Sequence, residues 1–377
     1  MTPLSHRPRR VLATAVLAAV AALPAARAAE PPADDPAVQP SELLPLSTQT
    51  LLLDAVRTSA GVFAVGERGI ALRRGDSGQW AQLPTPTRVT LTAVAAADGE
   101  LWVAGHDGVI LRSSDNGDSW TRQRVDVWSP QSTEPSQGAP ILDLLFIGAE
   151  KGYAVGAFST LLRTNDGGRT WVRLSLKGET PAAEAGVVPE PDAEPDAGDT
   201  AASFDDGAVL GAEDLELADE TDPHLNAIAR DPAGTLYIAG ERGAMFRSRD
   251  DGSTWQRLSF PYEGSMFGIV TWDAGHVMAF GLRGNVFEST DGGDTWSRLD
   301  TGAEVTLMGG SALPGGGVVI VGNEGVILER KDGASPLERR EHQNARGETP
   351  VLSGAIPDAD GTLILIGDKG VDRDGHG

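Results

Sequence analysis

Apolar and polar residues along most of this chain fall into short runs, and the runs come in sets of four. In one set "LTAVAAA" (91–97) and "ELWVAG" (100–105) are apolar, while "VILRSS" (109–114) and "TRQRV" (121–125) alternate. Runs of this length, separated by turn residues, predict β-strands, and no 3.6-residue period is evident beyond the N-terminal stretch. The sets repeat. A few apolar residues followed by Gly-x-x-Gly recur at Gly66, Gly105, Gly156, Gly240, Gly281, Gly322 and Gly367, the Gly156 copy ending in Ser159. Successive spacings are 39, 51, 84, 41, 41 and 45 residues, so two long gaps interrupt a regular unit. Trp120, Trp171, Trp255 and Trp296 each follow their blade glycine by 15 residues, and Trp80 follows Gly66 by 14. In the sixth unit the same offset lands on Leu337.

Four short strands per unit of about 40 residues predict an all-β fold, a seven-bladed β-propeller, with six or eight blades as the alternatives. The last unit has strands near Val351–Ile356 and Leu363–Ile366 and no room for a fourth before Gly377. The piece "SELLPL" (41–46), just upstream of the first inner strand "TLLLDAV" (50–56), is predicted to supply that strand. Such an N-terminal strand would close the ring and remove an exposed sheet edge. The propeller is then read as 41–377, after a linker at 29–40.

The two gaps are insertions, "WSPQSTEPSQGAP" (128–140) and a segment at 178–223, each between the fourth strand of one blade and the first of the next. The second is rich in Ala, Glu, Asp, Pro and Gly and is predicted to be disordered. Propeller geometry puts both insertions on the face that carries the Gly-x-x-Gly turns. The tryptophan motifs fall on the opposite face.

Those motifs read "SSDNGDSW" (113), "TNDGGRTW" (164), "SRDDGSTW" (248) and "STDGGDTW" (289). Their shared positions are Asp115, Gly117 and Trp120; Asp166, Gly168 and Trp171; Asp250, Gly252 and Trp255; Asp291, Gly293 and Trp296. Between two strands, the Asp can accept backbone N–H bonds, the Gly can take a positive φ, and the Trp can pack beneath. A calcium loop is the rival reading, but it needs a closing bidentate carboxylate, and no Glu follows at the required place. The motif is therefore read as a structural turn. Blade one keeps Asp76, Gly78 and Trp80 with one residue missing, and blade six keeps only Asp332.

These motifs resemble the Asp-box, or bacterial neuraminidase repeat, which occurs in sialidases and in many noncatalytic propellers. Residues 45–370 outside the acidic insertion, with "AVGERGI" (64), "HLNAIA" (224), "IAGERG" (238) and "PYEGSMFG" (261), are similar to the photosystem II stability/assembly factor family. That resemblance implies a lumenal or exported seven-bladed propeller that assists assembly of photosystem II. Relatives in nonphotosynthetic bacteria have a poorly defined role, and some accompany envelope export systems.

A sialidase would need a Tyr–Glu nucleophile pair, an Asp acid and three carboxylate-clamping arginines. Of three tyrosines, Tyr153 and Tyr237 fall in register with Phe63, Trp102 and Met278 as core positions of the second strand. Tyr262 lies in a loop beside Glu263, and adjacent residues tend to point apart. The six histidines show no zinc-ligand spacing. The expectation is a noncatalytic protein without metal or cofactor, with a glycoside hydrolase or polysaccharide-binding propeller as the alternative.

Charge redirects the search. Of a net −23, the stretch Glu179–Asp222 supplies −15, leaving −23 − (−15) = −8 for the remainder. No basic stripe interleaved with aromatics is present, which argues against nucleic acid. Yet the third positions of the Gly-x-x-Gly turns include Arg68, Arg242, Arg283 and Lys369, with Glu67, His106 and Glu241 beside them. These residues and Tyr262 are read as a partner-binding face, a cationic arc able to grip carboxylates of a membrane-associated protein partner. The acidic insertion would be a solubilising tether or a screen over that arc.

Cysteine is absent, so disulfides and thiolate metal sites are excluded. Arg7, Arg9 and Arg10, the apolar run Val11–Leu23 and Ala26-Arg27-Ala28 predict a signal peptide at 1–28. The mature chain is expected to be a soluble periplasmic monomer. The Arg9-Arg10 pair also admits twin-arginine export.

Overall fold

The computed structural model describes residues 31–75, 77–130, 132–176, 222–333 and 335–375. The expected signal peptide and all of the acidic insertion except Asp222 and Pro223 lie outside the described residues. The described chain forms seven antiparallel sheets in sequence order. Blade one comprises β1 (Leu52–Thr58), β2 (Gly61–Gly66), β3 (Ala71–Arg74) and β4 (Trp80–Leu83); blade two, β5 (Leu91–Ala97), β6 (Glu100–Gly105), β7 (Ile110–Ser113) and β8 (Thr121–Arg124). Blade three has β9 (Ile141–Ile147), β10 (Lys151–Gly156), β11 (Thr160–Thr164) and β12 (Val172–Arg173); blade four, β13 (Leu225–Arg230), β14 (Leu236–Gly240), β15 (Met245–Ser248) and β16 (Gln256–Arg257). Blade five has β17 (Met266–Thr271), β18 (Val277–Gly281), β19 (Val286–Ser289) and β20 (Ser297–Leu299); blade six, β21 (Leu307–Leu313), β22 (Gly317–Gly322), β23 (Val326–Arg330) and β24 (Glu338–Glu341). Blade seven has only β25 (Leu352–Pro357), β26 (Leu363–Gly367) and β27 (Gly370–Asp374). Each inner strand packs on the next, and β25 packs on β1. The result is a seven-bladed propeller.

The second strand of each blade is the most apolar because neighbouring blades cover both its faces. Phe63, Trp102, Tyr153, Tyr237 and Met278, the positions read as core, are all at most 2% exposed. Trp102 lies flat on Phe146 of the next blade, with ring centroids 3.6 Å apart. Its Nε1–H also crosses that joint to the Gly167 carbonyl at 3.1 Å.

Every inner strand carries a register shift at its second residue: Leu53, Thr92, Leu142, Asn226, Phe267, Met308 and Ser353. This bulge explains the first glycine of each repeat. A Cβ on Gly66 would sit 2.0 Å from the Leu51 carbonyl oxygen, and one on Gly367 would sit 1.9 Å from that of Val351. Only a residue without a side chain lets the incoming chain pass there.

Ring closure differs from the expected N-terminal strand. Residues 41–46 form no strand, and blade seven ends at β27. The segment instead runs along blade one, held by a side chain in place of a ladder. The Gln82 amide accepts from Leu44 N–H at 2.7 Å and donates to the Glu42 carbonyl at 2.8 Å. Pro40 and Pro45 bracket the piece and remove two donors that a strand would need. Residues 31–40, read as a linker, are also packed: Ala37 is fully buried, and the Pro36 carbonyl accepts from Arg88 N–H at 2.8 Å.

The ring closes through Asp358, which meets Arg57 and Arg74 of blade one at 2.9 Å each and Arg373 of β27 at 3.1 Å. On the other flank, the His342 ring nitrogens lie 2.8 and 3.4 Å from Asp372 and Asp374 of β27, and Asp374 also pairs with Arg340. Ion pairs take the place of a fourth strand.

Candidate functional site

The four tryptophan motifs form nearly superimposable hairpin turns between third and fourth strands. In the 289–296 copy, Asp291 Oδ1 accepts from Ser289 Oγ–H at 2.8 Å and Thr295 N–H at 2.9 Å, while Oδ2 accepts from Thr295 Oγ1–H at 2.6 Å. Ser289 Oγ in turn accepts from Gly293 N–H at 2.8 Å. Asp115, Asp166 and Asp250 repeat the pattern with Ser119, Thr170 and Thr254. Those hydroxyls, and then the backbone N–H groups of the same residues, hold Asp115, Asp250 and Asp291 down to about 2. For Asp166, burial pushes up, and the Thr170 and Thr164 donors outweigh it. Both oxygens of each carboxylate are thus engaged within their own turn.

Gly117, Gly168, Gly252 and Gly293 take φ of 86°, 91°, 71° and 87°. Each tryptophan then seats against the preceding blade. Trp120 joins the core around Phe63 and Leu83, Trp171 packs on the cluster that Trp102 of blade two forms with Phe146 of its own blade, and Trp255 meets Tyr153 edge-on at 6.4 Å. Trp296 packs edge-on to Phe260 at 5.1 Å. These turns are joints between blades. In the two decayed copies, Gly78 keeps a φ of 76° beside the half-buried Trp80, and Asp332 accepts from Ser335 N–H at 2.9 Å.

The opposite face carries the Gly-x-x-Gly tips. Arg68, Asp107, Phe158, Arg242, Arg283 and Glu324 all sit in the left-handed region, with φ between 53° and 57°, and all but Asp107 are exposed. Lys369 is exposed too, but on a tight two-residue hairpin where Gly370 takes the positive φ and Lys369 does not, and it pairs with Asp368 at 3.6 Å. Around the ring, Glu324 separates Arg283 from Lys369, and Asp107 and Phe158 separate Arg68 from Arg242. The expected arc is therefore two cationic pairs, on blades four and five and on blades seven and one.

The neighbouring acids have another role. Glu67 accepts from Leu51 N–H at 3.4 Å, Glu241 from His224 N–H at 3.2 Å, and Asp368 from Val351 N–H at 2.9 Å, each fixing the chain that enters its blade. His106 is exposed and takes part through its N–H, which donates to the Thr90 carbonyl at 3.0 Å. Tyr262 is half-buried, stacked on Phe287 with centroids 5.7 Å apart, so its ring belongs to the packing between blades four and five. Glu263 beside it is exposed.

Between these tips the central channel opens as a cavity of about 210 Å³ lined by all seven bulge residues. Leu53, Leu142, Phe267 and Met308 make its apolar rim; Thr92, Asn226 and Ser353 are polar. Their polar groups stitch blade to blade. Thr92 donates to the Ile141 carbonyl, Asn226 Nδ2–H to the Met266 carbonyl at 2.9 Å and Ser353 Oγ–H to the Leu52 carbonyl at 2.7 Å. One step deeper lie two carboxylates. Asp54 Oδ2 accepts from Val94 N–H of blade two at 2.7 Å, and Asp143 Oδ2 from Ile228 N–H of blade four at 2.8 Å. Burial pushes Asp54 up to about 6, against the Val94 and Ala55 N–H donors. Burial and then repulsion from Asp54 push Asp143 up to about 8.

Sequence reading missed this channel set. A signal was available: Asp54 in "LLLDAV" and Asp143 in "ILDLLF" stand at the same offset from the strand start, within otherwise apolar runs.

The fold and its turn face define a seven-bladed β-propeller with solvent-exposed tips on one side. No family model matches the chain. It is 25% identical over 257 residues to the photosystem II assembly lipoprotein Ycf48 of Synechococcus sp. (strain CC9902), covering 62% of this chain and 70% of that protein. A solved structure described as YCF48 bound to D1 peptide superposes with a TM-score of 0.58 at 14% identity, covering 91% of this chain and 96% of the other. YCF48 from Cyanidioschyzon merolae gives 0.59 at 15% identity, with 89% and 98% covered. A streptogramin B lyase gives 0.62 at 11% identity, with 88% and 95% covered, so the same fold also carries an enzyme. The chain is thus similar in sequence to a photosystem II assembly lipoprotein and shares its seven-bladed fold with the solved YCF48 structures.

Proposed function

We propose that the chain is an exported, noncatalytic protein-binding propeller that supports assembly or stability of a membrane-associated complex. The observation that carries this reading is the exposed tip set, in which Arg68, Arg242 and Arg283 project from one face in the same backbone conformation, φ 54–55°. Guanidinium groups held at fixed positions suit carboxylates of a peptide or protein. The similar proteins point the same way, one an assembly lipoprotein and one bound to a peptide. The protein would act in the periplasm as a monomer, with a partner presented at the membrane surface.

The glycosidase alternative draws no support from Tyr262, whose ring packs on Phe287. Replacing Arg68, Arg242 and Arg283 together by Glu should leave the far-ultraviolet circular dichroism unchanged and reduce capture of membrane-protein partners from envelope extracts at least about tenfold. Undiminished capture by the folded triple variant would remove the tip set from the binding surface.

A further inference from the structure

Asp54 and Asp143 are placed where a proton changes how blades hold together. Each spans a joint, Asp54 from β1 to β5 and Asp143 from β9 to β13, by accepting the N–H of the adjoining inner strand. Each also accepts the N–H of its own following residue, Ala55 or Leu144, at 2.8 and 2.7 Å. Both line the same channel cavity, and no other ionisable side chain lines it among the described residues.

The strands packed around them offer little compensation. β2, β5, β25 and β26 carry no charged residue, and the one charged residue of β6, Glu100 at its start, pairs with Arg112 at 2.9 Å. On β1, Arg57 turns to Asp358; on β10, Lys151 pairs with Asp251 at 2.8 Å; β13 ends in Arg230 on the aspartate-turn side. At the mouth, Glu67 and Glu241 face the Leu51 and His224 backbones. Arg68, Arg242, Arg283 and Lys369 stand on the tips at the mouth, and among the described residues no cationic side chain lines the cavity beside the two carboxylates.

We propose that Asp54 and Asp143 form a proton-responsive latch that fastens blades one to four more tightly as the surrounding solution becomes more acidic. One proton suffices, because it ends the mutual repulsion and leaves the other carboxylate to hold both of its backbone donors. The direction follows from linkage. A carboxyl with a native pKa above its unfolded value stabilises fully below the unfolded value and loses that contribution as pH rises through the native one. For this pair the loss runs through about 6 for Asp54 and about 8 for Asp143.

The test is urea unfolding of the full chain and of Asp143→Asn at about pH 8.5 and about pH 5.5, with carboxyl-carbon NMR titration of the unaltered protein. The folding equilibrium constant of the unaltered protein should rise at least about tenfold more on acidification than that of the Asn variant. An aspartate carboxyl signal that disappears in the variant should titrate clearly above the ordinary value near 4. Equal pH dependence in both proteins would overturn the latch. If Asp143→Asn does not fold, assignment of the Asp143 signal in the unaltered protein decides, and a midpoint near 4 overturns it.

Discussion

Ser353 Oγ–H donates to the Leu52 carbonyl oxygen at 2.7 Å, joining the last inner strand to the first across a separation of 301 residues. Behind that stitch, Asp358 draws Arg57, Arg74 and Arg373 to one carboxylate that is only 8% exposed. Among the described residues the last blade has three strands, and side chains carry its closure onto blade one.

Asp358→Ala should therefore open the ring at one identifiable joint. Loss of the half-buried Arg74 bond alone predicts a cost of about 2 kcal/mol. Amide exchange should accelerate in β25 to β27 and β1 before it does in blades three to five. Uniform acceleration around the ring would show that the seventh blade is not the point of closure.

Acid should act on the other face. The turn aspartates Asp115, Asp250 and Asp291 are held at about 2, below their unfolded value, so their contribution is present above about 4 and lost as pH falls toward 2. Asp291→Asn should lower the urea midpoint near pH 6 and make the protein less sensitive to acid between about pH 4 and 2. Its Thr295 amide, bonded at 2.9 Å, should lose exchange protection. Retained protection would mean that the carboxylate is dispensable to the turn.

The repeat glycines should be irreplaceable for reasons of space. A Cβ on Gly322 would lie 2.2 Å from the Thr306 carbonyl oxygen, whereas one on Gly75 meets nothing within 4 Å. Gly322→Ala should cost about 2–3 kcal/mol, as overpacking at a rigid backbone does. Gly75→Ala should leave the thermal midpoint within a degree or two, and a matching loss in both variants would refute the bulge explanation.

The propeller was legible because its repeat sets a spacing of glycine and tryptophan that any one-dimensional reading can follow. Tyr153 and Tyr237 were placed in the core by register alone, and both are fully buried. Closure was not legible, because "SELLPL" has the apolar content of an edge strand, while its fate is set by Gln82, 38 residues from Leu44 in sequence. The setting of Tyr262 was hidden for a similar reason. A loop position says nothing of the stack on Phe287, which only the approach of two blades creates. The channel carboxylates escaped notice because their meaning depends on blades one and three facing a common space.

The third blade's tip has one more consequence. Its Arg173 guanidinium reaches the Phe158 carbonyl at 3.1 Å, Leu174 N–H reaches the Leu161 carbonyl at 2.8 Å, and Ser159 N–H holds the Pro223 carbonyl at 2.9 Å. Phe158 itself leans on His224 with centroids 5.4 Å apart. The described chain on either side of 177–221 is thus moored at a single port on the third blade's tip. Because loop closure grows costlier only slowly with length, this port is the natural place to graft a reporter, an affinity tag or a second domain onto the propeller.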